Sequence, residues 1–203
     1  MPDEIILLTG GAEGPHLANI LTQINSELSI ECVESLDQLQ GICQLSPHSK
    51  STVRRLIAYC TDVIVPTGIL QAMTGPAYNF HPGPPAYPGA HAASFAIYDG
   101  ARKFGVCAHE MAPRVDSGSI VGVEEFGVPE NARFLDLEIL AYKKLFQLFG
   151  RLADNLASRD VPLDRLDISW GDRKTRKADF ARMKVFDADM DEAEIRRRWR
   201  AFG

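Results

Sequence analysis

An asparagine and a histidine stand two residues apart where a proline-rich segment begins, in Asn79-Phe80-His81. On an extended chain residues i and i+2 point to the same side, so the amide and the imidazole would face one surface. Four prolines follow within the next seven residues and would hold that surface rigidly. Such a pair can stabilise the negative charge that develops on a carbonyl oxygen. The alternative is an asparagine that satisfies a turn and an inert loop histidine.

A carboxylate further along the chain could complete such a site. Asp116 precedes Ser117-Gly118, a context in which aspartate ordinarily bonds its own backbone in a turn. Beside an imidazole, the same carboxylate would orient the ring, favour its protonated form and help to move protons. The sequence leaves both interpretations of Asp116 open.

A third feature is the glycine-rich segment from residue 9 to residue 14, Thr-Gly-Gly-Ala-Glu-Gly. A helix that begins after glycines offers free N–H groups to an anion, and Glu34 after the next strand is typical of a nucleotide-binding oxidoreductase. The spacing of Gly10, Gly11 and Gly14 does not follow GxGxxG, and Glu13 would repel a phosphate. A tight turn is the favoured interpretation.

The cysteines and histidines do not indicate metal chemistry. The four cysteines lie far apart, none forms a CxxC pair, and no HxxxH or HExxH occurs. We therefore expect buried thiols, without disulfides, and no metal site. The cysteines are Cys32, Cys43, Cys60 and Cys107.

The elements that would position these residues follow an alternating pattern. Residues 4–8 and 28–33 predict strands, and the helical spacing of Leu17, Ile20, Leu21 and Ile24 predicts a helix between them. Strand, helix, strand is the opening of an open, mostly parallel Rossmann-like sheet, the α/β class. Residues 56–59 predict a further strand, followed closely by a second apolar run at 63–65. The stretch 41–53 has no clear pattern.

The second half of the chain has a different character. The segment 79–89 is expected to be a rigid loop rather than a helix or an internal strand. Residues 91–98 predict a helix, and 104–111 and 119–128 predict strands joined by a hairpin-like connection. Asn131 is expected to cap a long helix with one apolar face. That face is formed by Leu135, Ile139, Tyr142, Phe146, Phe149 and Leu156.

Charge divides the chain into a main domain, residues 1–170, and a charged tail, residues 171–203, that ends in a helix. Residues 1–150 hold 9 basic and 16 acidic residues, whereas the remainder holds 13 and 11. An acidic main domain argues against binding nucleic acid. The start of the chain does not resemble a signal peptide, and no apolar run could span a bilayer, so we expect a cytoplasmic protein.

Together these motifs resemble the folate-dependent formyltransferase family, which includes glycinamide ribonucleotide, methionyl-tRNA and sugar-nucleotide formyltransferases. The resemblance consists of Asn-x-His-Pro at 79–82, a proline-containing loop, a helix, Gly105 and His109 on a strand, and Asp116-Ser117-Gly118. It covers residues 56–128 well. The chain departs from the family at 83–88, where many members have Ser-Leu-Leu-Pro.

The resemblance implies roles for individual residues. Asn79, His81 and Asp116 fall on the family's catalytic trio, and His109 falls on a position interpreted as structural. The residues implied to hold the pterin ring of 10-formyltetrahydrofolate, the co-substrate, form two groups. They are Val63, Ile64 and Val65, and Glu110, Met111 and Val115.

The function that follows is formyl transfer to an amine of a small molecule, most simply a sugar nucleotide or a ribonucleotide. tRNA is disfavoured as acceptor because the main domain is acidic and the chain is too short for the extra C-terminal domain. A silent folate-binding module and a nucleotide-binding oxidoreductase are the alternatives. The tail is expected to dock through Trp199 and Phe202 and to bring arginines to the cleft. Val185, Phe186 and Trp199 are candidates for a homodimer interface. The tail arginines are Arg196, Arg197, Arg198 and Arg200.

Overall fold

The computed structural model describes residues 1–45 and 52–203. A six-stranded sheet with the order β2-β1-β3-β4-β5-β6 runs through it. The first four strands are parallel, and β5 and β6 form an antiparallel hairpin that pairs with β4. The expected α/β class and mostly parallel Rossmann-like sheet are confirmed. The strands are β1 (Glu4–Leu8), β2 (Ser29–Val33), β3 (Arg54–Tyr59), β4 (Ala77–His81), β5 (Lys103–Glu110) and β6 (Ile120–Gly127).

Helices cover the two faces of the sheet unequally. The larger apolar core joins one face to α1 (Gly14–Ile24), α4 (Ala92–Asp99), α5 (Phe134–Ser158) and α7 (Glu192–Phe202). The smaller core joins the opposite face to α2 (Leu36–Leu45) and α3 (Thr67–Ala72), with α6 (Lys177–Met183) outside it. Among the described residues, this second cluster contains none from β5 or β6. The hairpin side of the second face is therefore left open for a site.

The start of the proline-rich segment corrects one prediction. Asn79, Phe80 and His81 are not loop residues, because they form the end of the internal strand β4. Asn79 and Phe80 pair with both β3 and β5, and His81 pairs with Cys107 of β5. The first proline of this segment is residue 82, so every residue of β4 has a backbone N–H that can bond within the sheet. Residues 63–65 form no strand and belong to the connection between β3 and α3. Of the unassigned stretch 41–53, residues 41–45 belong to α2, and residues 46–51 lie outside the described residues.

The sequence predicted the position of the long helix α5 correctly, but not its N-cap residue or its buried face. Asn131 has a φ of 59° and lies before the helix, which begins at Phe134 with Arg133 as N-cap. The Asp136 side chain accepts a hydrogen bond from the Arg133 amide at 2.9 Å. Four of the six predicted face residues are exposed, because the buried stripe is rotated about the helix axis from the predicted one. The buried face is Leu137, Ala141, Leu145, Leu148, Phe149, Ala153, Leu156 and Ala157.

A buried arginine joins the sheet to the end of α5. Arg55 on β3 is fully buried, and its guanidinium donates to the carbonyls of Leu156 at 2.5 Å and Arg159 at 2.9 Å. Further bonds reach the Asn155 and Val161 carbonyls. The last carbonyls of a helix have no partner within the helix, and a cation beside them also interacts favourably with the negative end of the helix dipole. Arg55 therefore supplies the C-terminal cap of α5 from inside the sheet.

The tail packs on the main domain. Phe202 is buried against Phe95 and Tyr98 of α4 and against Phe180 of α6. Trp199, expected to dock beside it, is instead 54% exposed with the Arg133 guanidinium over its ring. Val185 and Phe186 are also exposed. In the described part of the chain no helix has the length and apolar character needed to cross a membrane.

Candidate active site

The predicted catalytic residues meet on the open side of the second sheet face. Asn79 and His81 alternate with Tyr78 and Phe80, which point into the larger core, so the polar pair points the other way. On β5 the residue opposite Asn79 is His109. Asp116 reaches the same place from the loop between β5 and β6. Strands thus position three of these side chains, Asn79, His81 and His109, and a loop positions the fourth, Asp116.

One cavity of about 980 Å³ contains these side chains. Asn79, His81, His109 and Asp116 all line it. Residues 60–65 after β3, the turn 89–93 before α4, and residues 111–115 form other parts of the wall. Glu138 and Tyr142 of α5 and residues 174–177 of the tail complete the lining. The volume is at the upper end of the range for ligand sites, so it suits a large ligand or two ligands together.

His109 connects the other polar groups. Its Nε2 lies 3.0 Å from Nδ2 of Asn79 and 3.4 Å from Oδ1 of Asp116, and its Nδ1 lies 2.8 Å from the Glu110 carbonyl oxygen. A carbonyl oxygen only accepts, so Nδ1 carries a hydrogen and Nε2 is left for the other two contacts. His109 therefore contacts two of the three predicted catalytic residues, Asn79 and Asp116.

Asp116 is held in a strained and buried conformation. Its φ is 44°, and its Oδ2 accepts a hydrogen bond from the Gly89 amide at 2.8 Å. Burial would raise the pKa of Asp116, but the bond with His109, the two imidazoles and the Gly89 amide together lower it below its usual range. Gly118 lets the loop fold this way, because a Cβ there would collide with the Glu110 backbone. Asp116 is thus ionised in the site.

His81 is buried, and its Nε2 has no hydrogen-bond partner among the described residues. Burial is the largest influence on His81 and lowers its pKa. The Asp116 carboxylate raises this pKa, and the neighbouring His109 lowers it further. A hydrogen bond with the Tyr87 backbone also favours the protonated ring. Because burial dominates, the free site favours the neutral imidazole, whereas the sequence interpretation assumed a protonated one. A buried and unpartnered ring nitrogen has a vacant hydrogen-bonding position for a ligand.

The residues predicted to hold a pterin ring lie in this cavity with one exception. Val63, Ile64, Val65, Met111 and Val115 all line it. Glu110 is absent from the lining, and its carboxylate forms an ion pair with Arg165 at 2.9 Å. Ile64 and Val115 are exposed, as side chains beside a ligand-sized opening can be.

Sequence reasoning missed the contribution of the segment that follows residue 169. Trp170 donates from Nε1 to the Gly118 carbonyl at 2.8 Å, and its ring meets His109 edge-on with centroids 4.9 Å apart. It also approaches the His81 ring, at 6.3 Å between centroids. Lys174 donates from Nζ to the Val115 carbonyl. The one available signal was a tryptophan followed by glycine immediately before a charged stretch.

Comparison with known proteins gives a family match for part of the chain. Residues 53–138 match the family described as formyl transferase, and this segment contains Asn79, His81 and Asp116. The match covers 86 of the 203 residues of the chain. The resemblance expected from the sequence and the enzyme class, a formyltransferase, are both confirmed. A comparison with curated protein sequences finds no match.

Solved structures share the fold of this formyltransferase at low sequence identity. A sugar N-formyltransferase from a Shewanella species is 15% identical with a TM-score of 0.75, covering 98% of this chain and 87% of that one. HypX from Aquifex aeolicus in complex with tetrahydrofolic acid is 17% identical with a TM-score of 0.69, covering 98% and 34%. An N-formyltransferase from Helicobacter canadensis, in complex with folinic acid and dTDP-3-aminofucose, is 16% identical with a TM-score of 0.68, covering 100% and 81%.

The glycine-rich turn of the formyltransferase offers little to an anion. A Cβ at Gly10 would meet the Glu13 carboxylate, and one at Gly11 would meet the Glu34 carboxylate. Two carboxylates thus stand where the oxidoreductase interpretation needs a phosphate. Glu13 instead accepts a hydrogen bond from the Tyr142 hydroxyl at 3.2 Å. This arrangement supports the tight-turn interpretation.

The cysteines are less buried than expected. Cys107 is buried on β5, whereas Cys43 and Cys60 are partly accessible and Cys32 is exposed. Their prediction as buried thiols is correct for Cys107 alone. Cys32 is exposed because β2 is the edge strand of the sheet. The described residues contain no His, Cys, Asp and Glu grouping that could hold a metal ion.

Proposed function

We propose that this formyltransferase transfers a formyl group from 10-formyltetrahydrofolate to the amine of a sugar nucleotide. The observation that carries the proposal is the single cavity in which Asn79, His81 and Asp116 meet, within the segment that matches the family. Fold relatives support both ligand classes, because the Helicobacter canadensis protein was solved with folinic acid and an amino-sugar nucleotide. HypX was solved with tetrahydrofolic acid.

The folate would lie between two segments of the wall. Val63, Ile64 and Val65 follow β3, and Met111 and Val115 belong to the loop after β5. These apolar side chains suit the flat ring of a pterin, and the unpartnered Nε2 of His81 suits a polar group beside it. Placed there, the formyl group faces the catalytic residues, and the rest of the cavity receives the acceptor.

The first step is attack by the acceptor nitrogen on the formyl carbon. The carbon–oxygen π pair moves onto oxygen, and the Asn79 amide stabilises the oxyanion that forms. Donors fixed in advance of the reaction make this contribution without reorganisation. Contact with His109 limits the orientations of the Asn79 amide, so His109 acts as a positioning residue.

The proton released by the attacking nitrogen goes to His81. Because burial keeps this imidazole neutral, Nε2 can accept the proton, and the resulting imidazolium lies near the oxyanion and the Asp116 carboxylate. The carbon–nitrogen bond to the folate then breaks as the carbonyl reforms. His81 returns the proton to the departing folate nitrogen, which regenerates the neutral ring. Asp116 stays ionised throughout and stabilises the cation.

An acceptor-panel assay tests this function. The protein is incubated with 10-formyltetrahydrofolate and individual amines, and the release of tetrahydrofolate and the formylated product are both measured. The panel contains nucleotide-linked amino sugars, glycinamide ribonucleotide and free amino sugars. Transfer to a nucleotide-linked amino sugar supports the proposal. Folate binding without transfer to any acceptor would instead indicate a silent folate-binding module.

A further inference from the structure

A short stretch of the tail forms part of the active-site wall. We name residues 170–177 the C-terminal strap. The Gly171 amide donates to the Pro85 carbonyl at 2.8 Å, and the Thr175 amide donates to the Pro88 carbonyl at 3.1 Å. The Ala90 amide donates in return to the Thr175 carbonyl at 3.0 Å. These backbone bonds fix the strap along the proline-rich loop that follows His81.

The strap carries three cations into the cavity lining. They are Lys174, Arg176 and Lys177, and Arg114 adds a fourth from the loop between β5 and β6. All four side chains are exposed at the mouth of the cavity. Such a concentration is notable in a chain with a net charge of −5.

Three carboxylates line the cavity beside these four cations, those of Asp62, Asp116 and Glu138. Lys177 pairs with Asp62 at 2.9 Å, but both side chains are well exposed, and such pairs contribute little. Lys174 donates to a neutral carbonyl, that of Val115. The Asp116 carboxylate is committed to His109 and Gly89. In the described part of the chain neither Arg114 nor Arg176 takes part in an ion pair.

The arginines of α7, which sequence reasoning assigned to the cleft, are engaged elsewhere. Arg196 and Arg198 pair with Glu192 and Glu194 of the same helix. Arg197 and Arg200 donate to backbone carbonyls of Tyr98 and Ala132. None of them lines the cavity. The cations at the mouth come from the strap and the loop instead.

We propose that Arg114, Lys174, Arg176 and Lys177 form an anion-binding rim that holds the phosphate or carboxylate oxygens of a ligand bound in the cavity. Guanidinium groups grip such oxygens with paired N–H donors, and the ammonium groups add charge. The identity of the bound anion rests on the proposed function, which offers two sources. These are the diphosphate of a nucleotide-linked acceptor and the glutamate tail of the folate. The rim itself rests on the charges.

The test compares the wild-type chain with the double variant Arg114→Gln/Arg176→Gln. Lys174 stays, because it holds the Val115 carbonyl. Arg196→Gln is the matched control, an exposed arginine outside the cavity. Dissociation constants are measured by calorimetry for inorganic pyrophosphate, dTDP-3-aminofucose, and folinic acid with one or three glutamates, at low and moderate salt. Circular dichroism checks that each variant is folded.

We expect the double variant to lose about tenfold or more in affinity for at least one probe, equivalent to about 1.4 kcal/mol, while the control is unchanged. The affected probe identifies the source: the nucleotide sugar indicates the acceptor, and a loss that grows with glutamate number indicates the folate. Equal affinities in all three proteins, or no binding of any probe to wild type, overturn the rim. Pyrophosphate binding that depends on the rim, with no formyl transfer to any acceptor, would refute only the proposed function.

Discussion

Nδ2 of Asn79 lies 3.0 Å from Nε2 of His109, a residue on the neighbouring strand. An Nε2 without a hydrogen accepts a hydrogen bond from the Asn79 amide. An Nε2 that carries a hydrogen donates it to Oδ1 of Asp116 instead. The orientation of the proposed oxyanion donor is thereby linked to a second imidazole. His109 would act on the reaction through Asn79 and Asp116 rather than through the substrate.

We expect His109→Ala to lower kcat strongly while the KM for folate changes little. If His109 acts through Asn79, the two losses should be non-additive. The double variant Asn79→Ala/His109→Ala should then be little slower than Asn79→Ala alone. Single-turnover rates of the four proteins in this cycle measure the coupling. Additive losses would show that His109 does not act through Asn79. His109→Gln, which keeps a hydrogen-bonding side chain, should recover part of the activity.

Asn79→Ala and His81→Ala are each expected to reduce kcat about 10²–10³-fold, the usual loss for one group that stabilises developing charge. Affinity for folinic acid should change little, because these contacts matter most in the transition state. Titration of folinic acid and steady-state transfer rates measure the two effects separately. Wild-type turnover in either variant would remove that residue from the mechanism.

The pH dependence of transfer follows from the burial of His81. The mechanism needs the neutral ring, and burial lowers the pKa of His81 from its usual value of 6.5. The acid limb of kcat/KM should therefore lie below pH 6.5. Trp170→Ala admits water to the ring, which raises the pKa again and moves the acid limb to higher pH. Trp199→Ala, which removes an exposed tryptophan, is the control and should leave the limb in place.

Arg55→Met is expected to destabilise the fold by about 3 kcal/mol or more, because each buried carbonyl left without a partner costs roughly 1–3 kcal/mol. Urea unfolding monitored by circular dichroism measures the loss. Arg102→Met, at an exposed position, should change the stability by less than about 0.5 kcal/mol. A similarly small change for Arg55→Met would show that the helix end is satisfied by water.

The sequence predicted the sheet well because its signals are local. The apolar runs at residues 4–8 and 56–59 lie in buried strands, and the spacing of Asn79 and His81 placed both on one face. The face of α5 was mispredicted because large apolar residues lie on more than one side of this helix, so their spacing fits two stripes. Leu137, Ala141 and Leu145 are buried, whereas Leu135 and Ile139 are exposed, and the choice depends on packing that no local pattern records.

The site was predictable in its side chains but not in its connections. Asn79, His81 and Asp116 share one cavity, but the direct partners of the Asp116 carboxylate are His109 and Gly89. The loop between β5 and β6 makes the first of these contacts, and the loop after β4 makes the second, so neither follows from strand pairing. The strap was missed for the same reason, because its backbone bonds to the proline-rich loop join residues more than 80 positions apart.

The strap also sets the order in which the protein becomes complete during synthesis. Ribosomes make the chain from its N-terminus, so all six strands are synthesised before Trp170 and Thr175. A nascent chain that stops short of residue 170 holds every strand of the sheet, including those that carry Asn79 and His109. It still lacks the tryptophan beside the two imidazoles and the bonds that tether the proline-rich loop. The wall of the proposed active site is therefore completed only by residues synthesised after the last strand of the sheet.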